Sequence, residues 1–524
     1  MTISSSLLLA ALAGCSSADS KDYERGGADY DTDVDAYEPD DGDTFTFDTA
    51  GGSPPETETD RLNLRPAQTE AYVFVANPER DTVTRIHVQT RDVRTVRVGH
   101  LPRVVAITPD YRRAVVFNRG DDSVSVIEAE KLQVDHVAVR DNLTNMVLAP
   151  GGAWAVLWHD PGAIRKGDPP VPPAASFHEV SLVHTETLAH VPLVVGFIPT
   201  AVRFTPDGRR AVVASDAQLA VVDLSLDVPT LELVDIADPL DPPLTEEIVL
   251  DPSGRWAFLR QRDRDVVAVV DLEQEIVGEV AVGADPTDLD LTPDGTRAVV
   301  VSRGAGEVTV LDVADPFAPP TVVPFPVGAG SLGAVLLGPD ETGILYTTAT
   351  AASRYATWDL TTQEIIAHPL VKPAQVVART PTGDSLLVVH TRDDAPDGST
   401  PVPYRGKDAI SLVSLKDFRA NTIALQAEPI GYANSRDGRR GYLVLEDTPL
   451  LAVLDYSSLI HTPLTLRSNA VFVGVLPDLD PSDGDQPPAW VSQEHSLGRI
   501  SFYDPDASSL ETITGFELNS AIEE

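Results

Sequence analysis

The sequence predicts an all-β protein, a β-propeller of four-stranded blades, and three observations predict it. One turn motif recurs at a near-constant spacing. Short apolar runs of strand length flank each copy. The core must also be built largely from Val, Ala, Leu and Ile, because the 524 residues are 42% apolar yet include only 2 Met, 14 Phe and 5 Trp. Val favours strands, since a β-branched side chain fits a pleated surface.

The turn motif reads Thr108-Pro109-Asp110, Ala149-Pro150-Gly151-Gly152, Thr205-Pro206-Asp207-Gly208 and Asp251-Pro252-Ser253-Gly254. It continues with Thr292-Pro293-Asp294-Gly295, Gly338-Pro339-Asp340, Thr380-Pro381-Thr382-Gly383, Ser435-Arg436-Asp437-Gly438 and a weaker Leu476-Pro477-Asp478. Successive copies from Pro109 lie 41, 56, 46, 41, 46, 42, 55 and 41 residues apart. A repeat of roughly 40–45 residues with four strands per unit is the signature of propeller blades. The turn chemistry agrees: Pro presets φ, Asp bonds the local backbone and Gly accepts positive φ.

Each element follows in order. After a turn comes a strand such as Arg113-Ala114-Val115-Val116-Phe117-Asn118, then one such as Ser123-Val124-Ser125-Val126-Ile127. An outer strand follows, as at residues 276–282, and the next inner strand precedes the next turn, as at 287–292. Nine markers imply nine inner strands. Residues 71–98 form outer strands ahead of the first marker, and Phe516-Glu517-Leu518 is expected to complete that blade and close the ring. The count is about ten blades. Most propellers have 4–8, so a smaller ring of roughly 7–8 blades with degenerate copies, or two adjacent rings, is the alternative.

Tyr72-Val73-Phe74-Val75-Ala76-Asn77, Val124-Ser125-Val126-Ile127 and Val308-Thr309-Val310-Leu311-Asp312, with the Thr-Pro-Asp-Gly turns, resemble the YVTN-type β-propeller repeats. Those repeats occur in bacterial and archaeal surface proteins and are similar to lactonase-type propellers. The resemblance covers roughly residues 70–515. It implies the fold and leaves the activity open.

The beginning of the chain reads differently. An apolar run, Leu7-Leu8-Leu9-Ala10-Ala11-Leu12, ends at Cys15, the only cysteine. The run is too short to span a bilayer, which takes about 20 residues, and it matches the apolar region of a signal peptide. No Lys or Arg precedes it. Leu12-Ala13-Gly14-Cys15 resembles the bacterial lipobox, which implies lipidation of Cys15 and cleavage before it. Ser16 in place of Asp implies sorting to the outer membrane, by analogy with enterobacterial lipoproteins. Residues 1–15 are thus a lipoprotein signal peptide and 16–66 an acidic disordered tether. The tether holds too little apolar surface to offset its ordering entropy. Residues 67–520 are the propeller. The formal net charge of −41 excludes nucleic acid as a partner class, since a polyanion is repelled.

Two repeats are longer than the rest, and both carry their extra residues between the second and third strands. One insert runs from His159-Asp160 through a Pro-Val-Pro element to His178-Glu179, the other from His390 through Asp393-Asp394 and Pro401-Val402-Pro403 to Lys407-Asp408. Such loops share a face with the interblade loops, where a rigid scaffold presents functional residues. In a ten-blade ring the two, five repeats apart, face each other across the mouth. The candidate ligand-binding residues are therefore His159, Asp160, His178, Glu179, His390, Asp393 and Asp394. The competing reading makes the inserts Pro-stiffened decoration and each His a strand-end cap.

No metal site is diagnostic. Asp29, Asp31 and Asp33 mimic the start of an EF-hand, but Val34 and Asp40 occupy the positions that need Gly and Glu. Asp478, Asp480, Asp483 and Asp485 form a second acidic loop, without a diagnostic ligand pattern. The sequence requires no cofactor and carries no Gly-x-Ser-x-Gly elbow, HExxH or Walker loop. The leading expectation is a lipid-anchored cell-envelope protein whose propeller is a non-catalytic module for a protein or glycan partner. The alternative is a lactonase-like or other hydrolytic enzyme with its site at the channel mouth.

Overall fold

Every blade takes its four strands consecutively from the chain. In the computed structural model, which describes residues 67–515 apart from 69–70, 88, 161–177, 239–244, 262, 339 and 477–484, these form ten four-stranded antiparallel meanders. The sheets of blades 1 to 10 span residues 67–97, 102–138, 145–194, 201–235, 245–281, 286–324, 334–369, 374–424, 429–465 and 470–514. The described residues lie within one compact unit, Gly51–Glu524. The ten-blade count read from the turns is the observed one. Cys15, residues 16–66 and residues 516–518 lie outside the described residues.

Burial follows strand position within a blade. The second and third strands sit between neighbouring blades and are covered on both sides, so they read as unbroken apolar runs. Trp154–Trp158 is buried throughout, as are the four central residues of Glu307–Asp312. The fourth strands lie at the rim and are much more exposed, as in Ile460–Thr465, where no residue is buried. This is why the second and third strands lack the period-two signal that a half-exposed strand gives.

Ten buried apolar clusters fill the ten spaces between blades. Nine join consecutive blades. The tenth joins the two ends: Val73, Val75, Ile86 and Val93 of blade 1 pack on Leu476, Trp490, Ile500 and Phe502 of blade 10. Arg91 adds an ion pair to Glu511 at 2.5 Å and lies over the Phe502 ring at 5.6 Å. The ring therefore closes by face-to-face packing. The sequence suggested instead that a C-terminal strand would complete blade 1. Its inner position is already filled by Ala67–Gln68, paired with Phe74 and Val73. A two-residue strand carries no periodicity by which it could be read in advance.

The turn between strands one and two is built the same way in several blades. The Thr292 hydroxyl donates to Asp294 Oδ1 at 2.6 Å and accepts the Arg297 N–H at 3.1 Å, and Asp294 also accepts the Thr296 N–H. Thr108, Thr205 and Ser435 repeat both hydroxyl bonds with Asp110, Asp207 and Asp437. These bonds favour the charged carboxylate and hold Asp294 down to about 2. Gly295 follows at φ 67°, whereas Tyr111 takes the same left-handed place at φ 59°.

Candidate functional site

The candidate surface is the face opposite those turns, formed by the loops from strand two to strand three and by the interblade loops. Six blades enter it through a bulge at the start of the inner strand: at Pro102/Val104, Thr245/Glu247, Pro286/Asp288, Ala374/Val376, Pro429/Gly431 and Ala470/Phe472. A bulge bends the strand where it leaves the loop. The blade 8 insert and the described ends of the blade 3 insert, His159 with Asp160 and His178 with Glu179, lie at this face. The two inserts join strands two and three of blades 3 and 8, opposite positions in a ring of ten.

A polar seam explains the residue at the end of strand two. Asn77 Nδ2 donates to Thr84 Oγ1 at 2.8 Å, Asn118 Nδ2 to Ser125 Oγ at 2.7 Å, and Gln493 Nε2 to Ser501 Oγ at 2.5 Å. Each hydroxyl belongs to strand three. The seam reaches strand four through Ser125 and His136 at 3.0 Å and through Ser501 and Thr512 at 2.8 Å.

His390 holds this same structural position in blade 8. Its Nδ1–H donates to the Lys372 carbonyl at 3.0 Å, which leaves Nε2 to accept the Ser411 hydroxyl at 2.7 Å. Ser411 in turn meets Thr422 at 2.8 Å. The side chain is only 1% exposed, and burial lowers its pKa to about 4. His159 occupies the equivalent register in blade 3. Its Nδ1 bonds the Asn142 carbonyl at 2.9 Å, also two residues upstream of the residue that faces it across the ladder, and it too is buried.

The parallel between the two histidines is thus one repeated backbone clamp between strand two and the preceding interblade loop. This corrects their placement among solvent-facing ligand candidates: both rings are buried and already bonded within the fold.

The other candidates separate. Asp160 is stapled to the inner strand of blade 3. Its N–H donates to Thr144 Oγ1 at 2.6 Å, and its Oδ2 accepts from Asn145 Nδ2 at 3.0 Å. Glu179 pairs with Arg140 at 3.1 Å. His178 is exposed and lies 4.9 Å from the Phe197 ring. Asp394 accepts the Gly406 N–H at 3.0 Å and sits 3.5 Å from Lys372 Nζ. Asp393 is exposed, and only its carbonyl is engaged, by Thr391 Oγ1 at 3.2 Å. Asp478, Asp480 and Asp483 lie outside the described residues, and Asp485 is exposed.

Two features escaped the sequence reading. Lys372 is fully buried beneath the blade 8 insert and donates to the carbonyls of Arg392, Tyr404 and Lys407 at 2.9, 3.1 and 2.7 Å. Its sequence signal was slight: a lone Lys in the apolar loop Leu370-Val371-Lys372-Pro373, ahead of the blade with the longer described insert. The second feature is a cleft of about 760 Å³ at the opposite face, lined by Tyr72, Arg112, Arg113, Glu128, Glu130 and Glu186 among others. Within it Arg113 reaches Glu186 of the next blade at 3.2 Å.

Charges on the first and second strands are also committed to the fold. Arg260 is held between Glu246 and Glu247 at 2.6 and 3.0 Å. Burial alone depresses its pKa, but the two carboxylates outweigh burial and raise it. Asp288 accepts the Val335 N–H at 2.6 Å and ties blade 6 to the start of blade 7.

No family model and no curated protein matches the chain. Solved structures do. A eukaryotic initiation factor is similar at a TM-score of 0.52 and 11% identity, over 76% of this chain and 97% of that one. Dihydro-heme d1 dehydrogenase NirN in complex with DHE is similar at a TM-score of 0.45 and 14% identity, over 82% and 81%. Apo AztD from Citrobacter koseri follows at 0.39 and 13%, over 59% and 86%. At such identities the likeness concerns the fold alone.

Proposed function

We propose that this chain is a lipid-anchored protein of the cell envelope, sorted to the outer membrane, whose YVTN-type propeller is a non-catalytic binding or scaffold module. Cys15 carries the anchor and the acidic segment after it is the tether. The partner is an envelope protein or glycan met on the insert-bearing face. The observation that carries this reading is the division of labour in the blade 8 insert. His390 and Lys372 are buried and hold the loop, while Asp393, Asp397, Val402 and Arg405 are exposed on it. A loop held from below and open above suits recognition, because a preformed surface loses little entropy on binding.

Two measurements test the proposal. Cys15→Ser should move the protein from the membrane to the soluble fraction in its native host; a variant that stays on membranes after a high-salt wash removes the anchor from the proposal. A photo-crosslinking residue at Val402 should yield a discrete adduct in cells, and one at Arg209 on the turn face should not. Equal labelling from both faces counts against the insert face as the binding surface.

A further inference from the structure

We infer that Lys372 is an internal counter-cation that folds residues 391–408 into a fixed module, as a bound cation would, and that this module is ordered separately from the blade that carries it. The lysine spends its three N–H donors on three carbonyls of one loop, those of Arg392, Tyr404 and Lys407. Asp394, on the same loop, supplies the opposing charge at 3.5 Å. Carbonyls and a carboxylate around one positive centre are the donor set that proteins use for hard cations. Here the centre is covalently part of the chain. A fully buried ammonium is costly unless it is paired and hydrogen-bonded. The loop meets both needs, so loop order and lysine burial depend on each other.

The rest of the insert is arranged around this centre. The Ala395 N–H donates to Thr400 Oγ1 at 2.8 Å, Arg405 Nε to the Thr400 carbonyl at 2.8 Å, and the Gly406 N–H to Asp394 at 3.0 Å. Tyr404 OH reaches the Thr422 carbonyl of the same blade at 3.1 Å. The sheet beneath does not need the loop: Ser385–His390 pairs with Ala409–Ser414 along its whole length. Lys372 itself comes from the interblade loop before blade 8, so the module is fastened to a segment distant from it in sequence.

The test needs no ligand, so its outcome is independent of the proposed binding role. Trypsin can cut inside the module at Arg392, Arg405 and Lys407. In Lys372→Met, cleavage there should rise about tenfold or more while the melting temperature of the ring changes little, because local opening is separable from global unfolding. Lys372→Ala should open the module equally, and propylammonium, the fragment removed, should restore protection. Tetramethylammonium has the same charge but no N–H donor and should not. Asp394→Ala, with a carboxylate that is partly exposed, should fold and be cut faster than the wild type, though less than Lys372→Met. Unchanged cleavage in Lys372→Met overturns the inference, as does melting of the ring together with the loop. Equal action of the two ammonium ions overturns it too. If neither Lys372 variant folds, unchanged cleavage in Asp394→Ala overturns it.

Discussion

On one face of the ring, strand one turns into strand two through a corner that satisfies itself. On the other, strand two runs into strand three through connections that range from the three residues 215–217 to long inserts such as residues 391–408. The corner finds its partners two and five residues away, as Thr292 does with Asp294 and Arg297. The blade 8 insert finds its central partner, Lys372, 20 to 35 residues upstream. A self-contained turn can be copied around a ring with little regard to what surrounds it. A borrowed partner ties a loop to one blade, and that is where the repeats differ from one another.

The largest effect expected from this difference is a pH dependence belonging to the insert face. Burial holds the His390 imidazole neutral in the folded state down to about 4, whereas an unfolded imidazole titrates near 6.5. Between those values the unfolded chain binds the extra proton, so stability rises with pH and is lost as pH falls from about 6.5 towards about 4. The loss is on the order of 3 kcal/mol. Burial lowers His190 and His368 as well, which adds to the same slope. His390→Asn, which copies Asn118 of blade 2, should flatten the melting temperature profile over this window. An unchanged slope would show that the seam does not keep His390 neutral.

An effect of intermediate size belongs to the turn face. Thr292→Val keeps the shape of the side chain but deprives the Arg297 N–H of its acceptor, at a cost of about 1–3 kcal/mol. Thr205→Val should cost the same to within about 0.5 kcal/mol, because the two turns share every bond in question. Chemical denaturation of both variants measures this. A severalfold difference would show that the corners depend on their surroundings after all. The carboxylates of these turns also make an acid limb distinct from that of His390. Asp294, Asp110 and Asp207 are all depressed, so their contribution is present above the ordinary carboxylate range and is lost as pH falls below it, for Asp294 only towards about 2.

How much of the molecule could be read from the sequence follows the same division. The corners marked nine of the ten blades, since Pro, Asp and Gly mark a local conformation wherever it recurs, and the strands ahead of the first corner supplied the tenth. Ala67–Gln68 could not be read, because a two-residue strand is defined only by the partner beside it. His390 was visible as a residue but not in its role. Its equivalents, Asn77, Asn118 and Gln493, are chemically different side chains that meet one hydroxyl at one register, and this equivalence exists only in space. The pairing of His159 with His390 was a true parallel whose meaning is a shared backbone clamp.

The smallest expected effect on stability separates two adjacent carboxylates of the insert. Asp394 is spent inside the module, where it meets Gly406 and Lys372. Asp393 is exposed, and its backbone carbonyl accepts from Thr391 Oγ1. Asp393→Ala should therefore leave stability within about 0.5 kcal/mol of the wild type, the range usual for surface changes. If the exposed side of the loop is what a partner meets, the same substitution should lower the yield of the Val402 adduct while tryptic protection of the module stays as in the wild type. Asp394→Ala should lower the adduct too, but with loss of protection, because it disturbs the loop before it disturbs the contact. An Asp393→Ala protein that loses protection would place this carboxylate among the supports of the loop. One with both protection and adduct intact would remove Asp393 from the binding surface.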